Sequence, residues 1–291
     1  MREWVKPLGP LDTGVGTDYH VGNYNSVPNS RSAIIGVKRD YSYNFLPDPT
    51  STASSANVER FEIRRGDCAG KDCTGQKNGA FRERTDKQIA LMGPEWGLGS
   101  TVWYGWDVYY DSATAKEFSK HGSAHTLGSL KAGEIDRGNR IRQGGCGSGL
   151  FMLVYQRDLI KANIYTKDEN LEEPQSYTIG LVKDLADKWN RWEIQVKWSR
   201  GSDGFYNVYL NGNQVVDYDG ITYGLCRSGR FDFAMLKYGM YSGYNGISDW
   251  YGKTEKKDFY EDPSLLSGTR ISYYDNVSIA KSRSELFTIN D

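Results

Sequence analysis

Cysteine, histidine and proline are scarce in this chain of 291 residues, at four, three and eight copies. None of the cysteine spacings is CxxC, which argues against a structural zinc site built from paired thiolates. The even cysteine number is compatible with disulfides in an oxidising compartment, and four thiols allow three connectivities. An excess of charge is missing too, with 36 Lys+Arg against 37 Asp+Glu. That balance argues against affinity driven by phosphate neutralisation, so no nucleic-acid partner is expected. No apolar run approaches the ~20 residues of a membrane-spanning helix, and no membrane partner is expected either. The opening MREWVKPLGPLDTG has no charged-then-apolar leader. An extracellular protein that has lost its signal, or one exported by another route such as a virus particle, is the expectation.

What the chain has in abundance is turns and rings. It carries 33 Gly, where the usual ~7% would give about 20, with 21 Tyr and 8 Trp. Such a composition suits an all-β sandwich. Residues 1–56 are turn-rich and polar and read as an N-terminal extension wrapping a domain that spans 57–291. From Asn57 onward, segments such as FRERTDKQIAL, STVWYGWDVYYD, RWEIQVKWSR and FDFAMLKYGMYS alternate with period two and end at Gly, Asp or Asn. This pattern predicts antiparallel strands in a single sandwich of jelly-roll type. The Asn-Gly of FYNVYLNGNQVVDY predicts a tight hairpin, because its two residues accept positive φ. One helix is expected, within SYTIGLVKDLADKWNR.

Strand parity sorts the side chains into faces. In FDFAMLKYGMYS, Lys237, Gly239 and Tyr241 share a side, and the glycine leaves a gap between an ammonium and a phenol. Such a gap suits a polysaccharide lying across the sheet. Arg82, Arg84 and Asp86 share a face of FRERTDKQIAL, and alternation puts His125, Leu127, Ser129 and Lys131 together on AHTLGSLKAG. Solvated strand faces would also look like this.

The ordered series RFEIRRGDC, RERTDK, WYGWDVYYD, TLGSLK, WNRWEIQVKW, LKYGMYS and SYYDNVSIAKS resembles the heparin-lyase and glucuronan-lyase group of polysaccharide lyases. Those are jelly-roll enzymes related in fold to alginate lyases and concanavalin-like domains. The resemblance runs from about residue 57 to 285. It implies β-elimination on an acidic, uronate-containing polysaccharide, with no cofactor required for the chemistry. Arg84 matches the group's strand-borne arginine, and Lys237 and Tyr241 match its Lys-x-x-x-Tyr pair. Taken with the shared strand faces, the candidate catalytic set is Tyr241, Lys237, Lys131 and Arg84, with Arg82, Asp86, Ser129 and His125 as candidate substrate-binding residues.

The chemistry accounts for these residue types. A proton next to an ionised carboxylate is very weakly acidic, so the carboxylate charge must be neutralised before it leaves. Arg does this with a fork that fits a carboxylate and stays charged. A tyrosine serving as base or acid, with an ordinary pKa of ~10, needs cations nearby. The series departs from the group at one place. Where a Gln-x-His is common, this chain has Ser129 and Lys131, so proton transfer falls to Tyr241.

Asp275, on the apparent core side of ISYYDNVSIA, would be costly to bury unpaired. A structural calcium ion held with Glu62 or Asp67 would offset that cost, and so would hydrogen bonds to a loop. The runner-up reading is an acidic-glycan-binding sandwich without turnover. In that case it would be a viral or cell-surface component, with residues 1–56 engaging virion or surface partners.

Overall fold

The computed structural model describes residues 22–23, 30–36, 39–65, 67, 81–91, 93–119, 124–135, 141–143, 149–166, 174–223, 233–244 and 268–287. The strands in chain order begin with β1 (Gly22–Asn23), β2 (Ser30–Gly36), β3 (Tyr43–Pro47), β4 (Asn57–Ile63) and β5 (Phe81–Leu91). β6 (Thr101–Tyr109) leads into α1 (Ser112–Phe118), followed by β7 (Ala124–Ile135), β8 (Ile141–Gln143) and β9 (Phe151–Gln156). The remainder are β10 (Leu159–Ile164), β11 (Gln175–Leu181), β12 (Asn190–Lys197), β13 (Phe205–Leu210), β14 (Asn213–Asp219), β15 (Phe233–Tyr244) and β16 (Arg270–Ala280).

They form two antiparallel sheets. One has nine strands in the order β1-β2-β5-β15-β7-β9-β10-β11, with β8 pairing β7; the other has seven, β14-β13-β12-β6-β16-β4-β3. The expected all-β jelly-roll sandwich is what the chain adopts.

The core between the sheets follows from the alternation. On β12, Trp192, Ile194 and Val196 are fully buried while Arg191, Gln195 and Lys197 turn outward. Trp106, Tyr104, Tyr110, Tyr155, Trp198, Tyr206 and Phe61 fill the same layer. Their rings meet edge to face, as in Tyr110–Tyr155 at 5.8 Å and Trp198–Tyr206 at 5.9 Å. Each such pair adds about 0.5–1.5 kcal/mol beyond the area it buries. The predicted hairpin is present between β13 and β14, with Asn211 and Gly212 at φ 50° and 82°.

Two expectations fail locally. Strands do not start at residue 57: β2 pairs with β5 and β3 with β4, so part of the stretch read as a wrapping extension is built into both sheets. The helix expected after Ser176 is strand β11 followed by a 3-10 turn, Val182–Leu185. Pairing with β10 supplies the hydrogen bonds of β11 and overrides the local pattern. The α-helix lies instead at Ser112–Phe118, where the Asp111 side chain caps it by accepting from the Thr114 amide at 2.7 Å. Among the described residues no helix is long and apolar enough to cross a membrane.

Candidate active site

Three neighbouring strands of the nine-stranded sheet, β5, β15 and β7, carry most of the residues singled out above. β15 lies in the middle. Its Tyr241 faces Arg84 on one side and Thr126 on the other, and its Lys237 faces Gln88 and Ser129. Alternation sends Leu236, Tyr238 and Met240 into the core, which leaves Lys237 and Tyr241 for the outer face. A pocket on that face is lined by Asp86, Ser129, Lys131, Lys237 and Tyr241, together with Thr126, Met152 and Tyr238. Arg84 stands beside it, its guanidinium carbon 5.9 Å from the centre of the Tyr241 ring. Arg82 is half-buried on the same strand, opposite Gly243.

Two bulges shape this surface. On β15 the register shifts between Tyr238 and Tyr241, and Gly239 takes a φ of 114°. A Cβ there would lie 2.8 Å from both the Thr85 carbonyl oxygen and a Phe61 ring carbon, so only glycine fits. On β7 the register against β9 shifts between Thr126 and Gly128. A Cβ on Gly128 would come within 2.3 Å of the Trp106 ring. The two bulges are tied together from the opposite sheet. The buried Tyr274 hydroxyl reaches the Leu127 carbonyl at 2.7 Å and the Gly239 carbonyl at 2.9 Å.

The β7 bulge also corrects the reading of His125. Unbroken alternation would place it beside Ser129 and Lys131. The extra residue reverses the parity, so Thr126, Ser129 and Lys131 face the pocket while His125 turns into the core. His125 is fully buried against Phe118, and its Nδ1 lies 2.8 Å from Ser242 Oγ. Burial, and then the charge of Arg270, hold its pKa well below the usual histidine range. It does not line the pocket. The same buried row holds Glu83, which accepts from Arg270 Nη2 at 2.6 Å, while Arg270 Nη1 donates to Ser242 Oγ at 2.9 Å.

The pocket's electrostatics are compact. Lys237 Nζ lies 3.0 Å from Asp86 Oδ2, with the two side chains 6% and 5% exposed. Lys131 is half-buried, and its pKa is pulled down to about 7. Burial is the main cause, followed by the charge of Lys237; Asp86 opposes the shift, while Arg84 and Arg82 add to it. Sequence parity did not foresee the Lys237–Asp86 pair or the Tyr274 tether. Glycines inside two strands were the only local sign of the bulges.

Asp275 is buried but has partners other than a metal. Its Oδ2 accepts from the Ser55 amide at 2.9 Å and its Oδ1 from the Asn276 amide at 2.8 Å. Glu62 is paired with Arg60 and Arg64, and Asp67 accepts from the Tyr41 hydroxyl and the Arg64 amide. Glu62 also faces Ile271, four residues along β16 from Asp275, a separation of roughly 13 Å at ~3.3 Å per residue. Amides and the neighbouring Arg191 guanidinium do not make a calcium donor set. Among the described residues no group of three or more His, Cys, Asp or Glu could share a metal ion. The four cysteines, His20 and His121 lie outside the described residues.

The chain matches the polysaccharide lyase family over residues 16–278. No curated protein matches it. Among solved structures it is similar to an endo-β-1,4-glucuronan lyase from the fungus Trichoderma reesei, at 13% identity and a TM-score of 0.54, covering 93% of this chain and 97% of that one. An alginate lyase of polysaccharide lyase family 7 is similar at 14% identity and a TM-score of 0.49, covering 84% of each chain. With the family matched along most of its length, and with the sandwich in place beneath the pocket, this chain belongs to the polysaccharide lyases.

Proposed function

We propose that this lyase cleaves a uronate-containing polysaccharide by β-elimination in the pocket on β5, β15 and β7, with Tyr241 moving the proton. The observation that carries the reading is the Tyr241 phenol in one pocket with Lys131 and Lys237, with the Arg84 guanidinium beside its ring. Hydrolysis asks for two carboxyl groups across the scissile bond, whereas elimination asks for neutralised substrate charge and one proton carrier.

The uronate carboxylate would sit between Arg84 and Lys237, with Arg84 supplying the bidentate fork and Lys131 adding its charge below neutral pH. Tyr241, ionised, takes the proton from C5. The electrons of that C–H bond form the C4=C5 double bond as the C4–O bond breaks. The phenol then returns its proton to the departing oxygen, and the phenolate is regenerated. Charge spreading from C5 into the carboxylate is what the cations hold. Lys131, with a pKa near 7, is a cation mainly below neutral pH.

Polyglucuronate heads the list of polymers, because the fungal enzyme with this fold is a glucuronan lyase. The test is incubation of the protein with polyglucuronate, polymannuronate and polyguluronate. Products should absorb in the ultraviolet through the new double bond and weigh one water less than hydrolysis products. Products with saturated ends, or intact polymer throughout, overturn the reading.

A further inference from the structure

Among the described residues, Asp86 is the one acidic residue lining the pocket. Its side chain is buried, and Oδ2 is held by Lys237 at 3.0 Å. Its other oxygen, Oδ1, is fully buried and has no hydrogen-bond partner among the described residues. A carboxylate oxygen withdrawn from water and left unpaired is costly, and native proteins seldom keep one without a use. The charge of Asp86 is felt at Lys131, so it stands among the cations read above as the carboxylate clamp.

An ionised carboxylate accepts hydrogen bonds and donates none. It repels a substrate carboxylate and cannot be satisfied by one. The donors a uronan offers are its sugar hydroxyls. A sulfate ester at such a hydroxyl removes the donor and puts a second anion against Asp86. We propose that Asp86 Oδ1 accepts a hydrogen bond from a free sugar hydroxyl of the bound polymer, so that the pocket selects unsulfated uronans and rejects chains substituted at that hydroxyl. This rests on the β-elimination reading and narrows its substrate class. It also gives the Lys237–Asp86 pair a second purpose, because Lys237 engages one carboxylate oxygen and leaves the other for the ligand.

Sites that hydrogen-bond a substrate hydroxyl discriminate strongly against analogues lacking it, since the buried partner is then left unpaired. The test compares kcat/KM on polyglucuronate with kcat/KM on the same polymer O-methylated or O-sulfated at its secondary hydroxyls. Wild-type protein should favour the unmodified chain over both derivatives by on the order of 10²-fold or more. Asp86→Asn should narrow the preference over the sulfated chain by at least about tenfold, because an amide carries no charge and can donate to sulfate oxygens. If Asp86 only anchors Lys237, the variant loses rate on all chains equally and the ratios stay put, which overturns the proposal. Equal wild-type rates on free and methylated chains overturn it as well, without any variant having to fold. A wild-type protein that forms unsaturated ends from no uronan removes the underlying reading, and a cleaving enzyme with unchanged ratios removes this inference alone.

Discussion

Tyr241 and Arg84 face each other across adjacent antiparallel strands, with the guanidinium carbon 5.9 Å from the centre of the phenol ring. The group that would move the proton and the group that would clamp the carboxylate are thus held by one ladder of backbone hydrogen bonds. Arg84→Ala should lower kcat by about 10²–10³-fold, the usual loss for one preorganised electrostatic partner, and should raise KM as well. Arg84→Lys should recover part of the binding but less of the turnover, since a point charge lacks the fork. Steady-state kinetics of the two variants checks this. A change confined to KM would remove Arg84 from the transition state.

Lys131 makes stability depend on pH in a stated direction. Its pKa is about 7 in the folded protein against an ordinary 10.5, so between those values the unfolded chain binds more protons. Stability therefore rises with pH from about 7 to about 10.5, and the contribution is absent at and below neutrality. Lys131→Met should flatten that rise and stabilise the protein at pH 7. Urea unfolding of both proteins across this range provides the comparison, and parallel curves would contradict the shift.

Tyr274→Phe removes the hydroxyl whose one proton is shared between two carbonyls, those of Leu127 and Gly239. An unpaired buried polar group costs about 1–3 kcal/mol. The unfolding midpoint should fall accordingly with the slope unchanged. Turnover should drop too, because both bulges position pocket residues. An unchanged midpoint would mean that the tether does not hold them.

The Arg270–Glu83 pair is fully buried. Arg270→Met removes a fully buried ion-pair partner from Glu83, at a cost of about 3–5 kcal/mol. The double variant Arg270→Met with Glu83→Leu should recover a large part of that loss. Denaturant titrations of the two variants decide the matter, and equal instability of single and double would contradict it.

Much of the architecture was legible because it depends on alternation. Trp192, Ile194 and Val196 declare a buried face, and Asn211-Gly212 declares a turn, with no need of distant contacts. The joint placement of Lys237 and Tyr241 was legible for the same reason, since Gly239 keeps both on one side. His125 was misplaced because parity counting assumes an unbroken strand. The bulge before Gly128 answers to Trp106 on the other sheet, a contact remote in sequence. The pairing of Asp86 with Lys237 is equally non-local, since it depends on the register between β5 and β15. Strands β2 and β3 were hidden by their polar, turn-rich surroundings, and only their partners β5 and β4 draw them into the sheets.

The central claim is that the Tyr241 hydroxyl transfers the proton during cleavage. Tyr241→Phe deletes that oxygen and keeps the ring that packs beside Arg84. Proton transfer by a positioned side chain contributes about 10²–10⁴-fold. Single-turnover formation of unsaturated ends on polyglucuronate should therefore slow by at least that factor, with polymer affinity nearly unchanged. Wild-type rates in the phenylalanine variant would contradict the account.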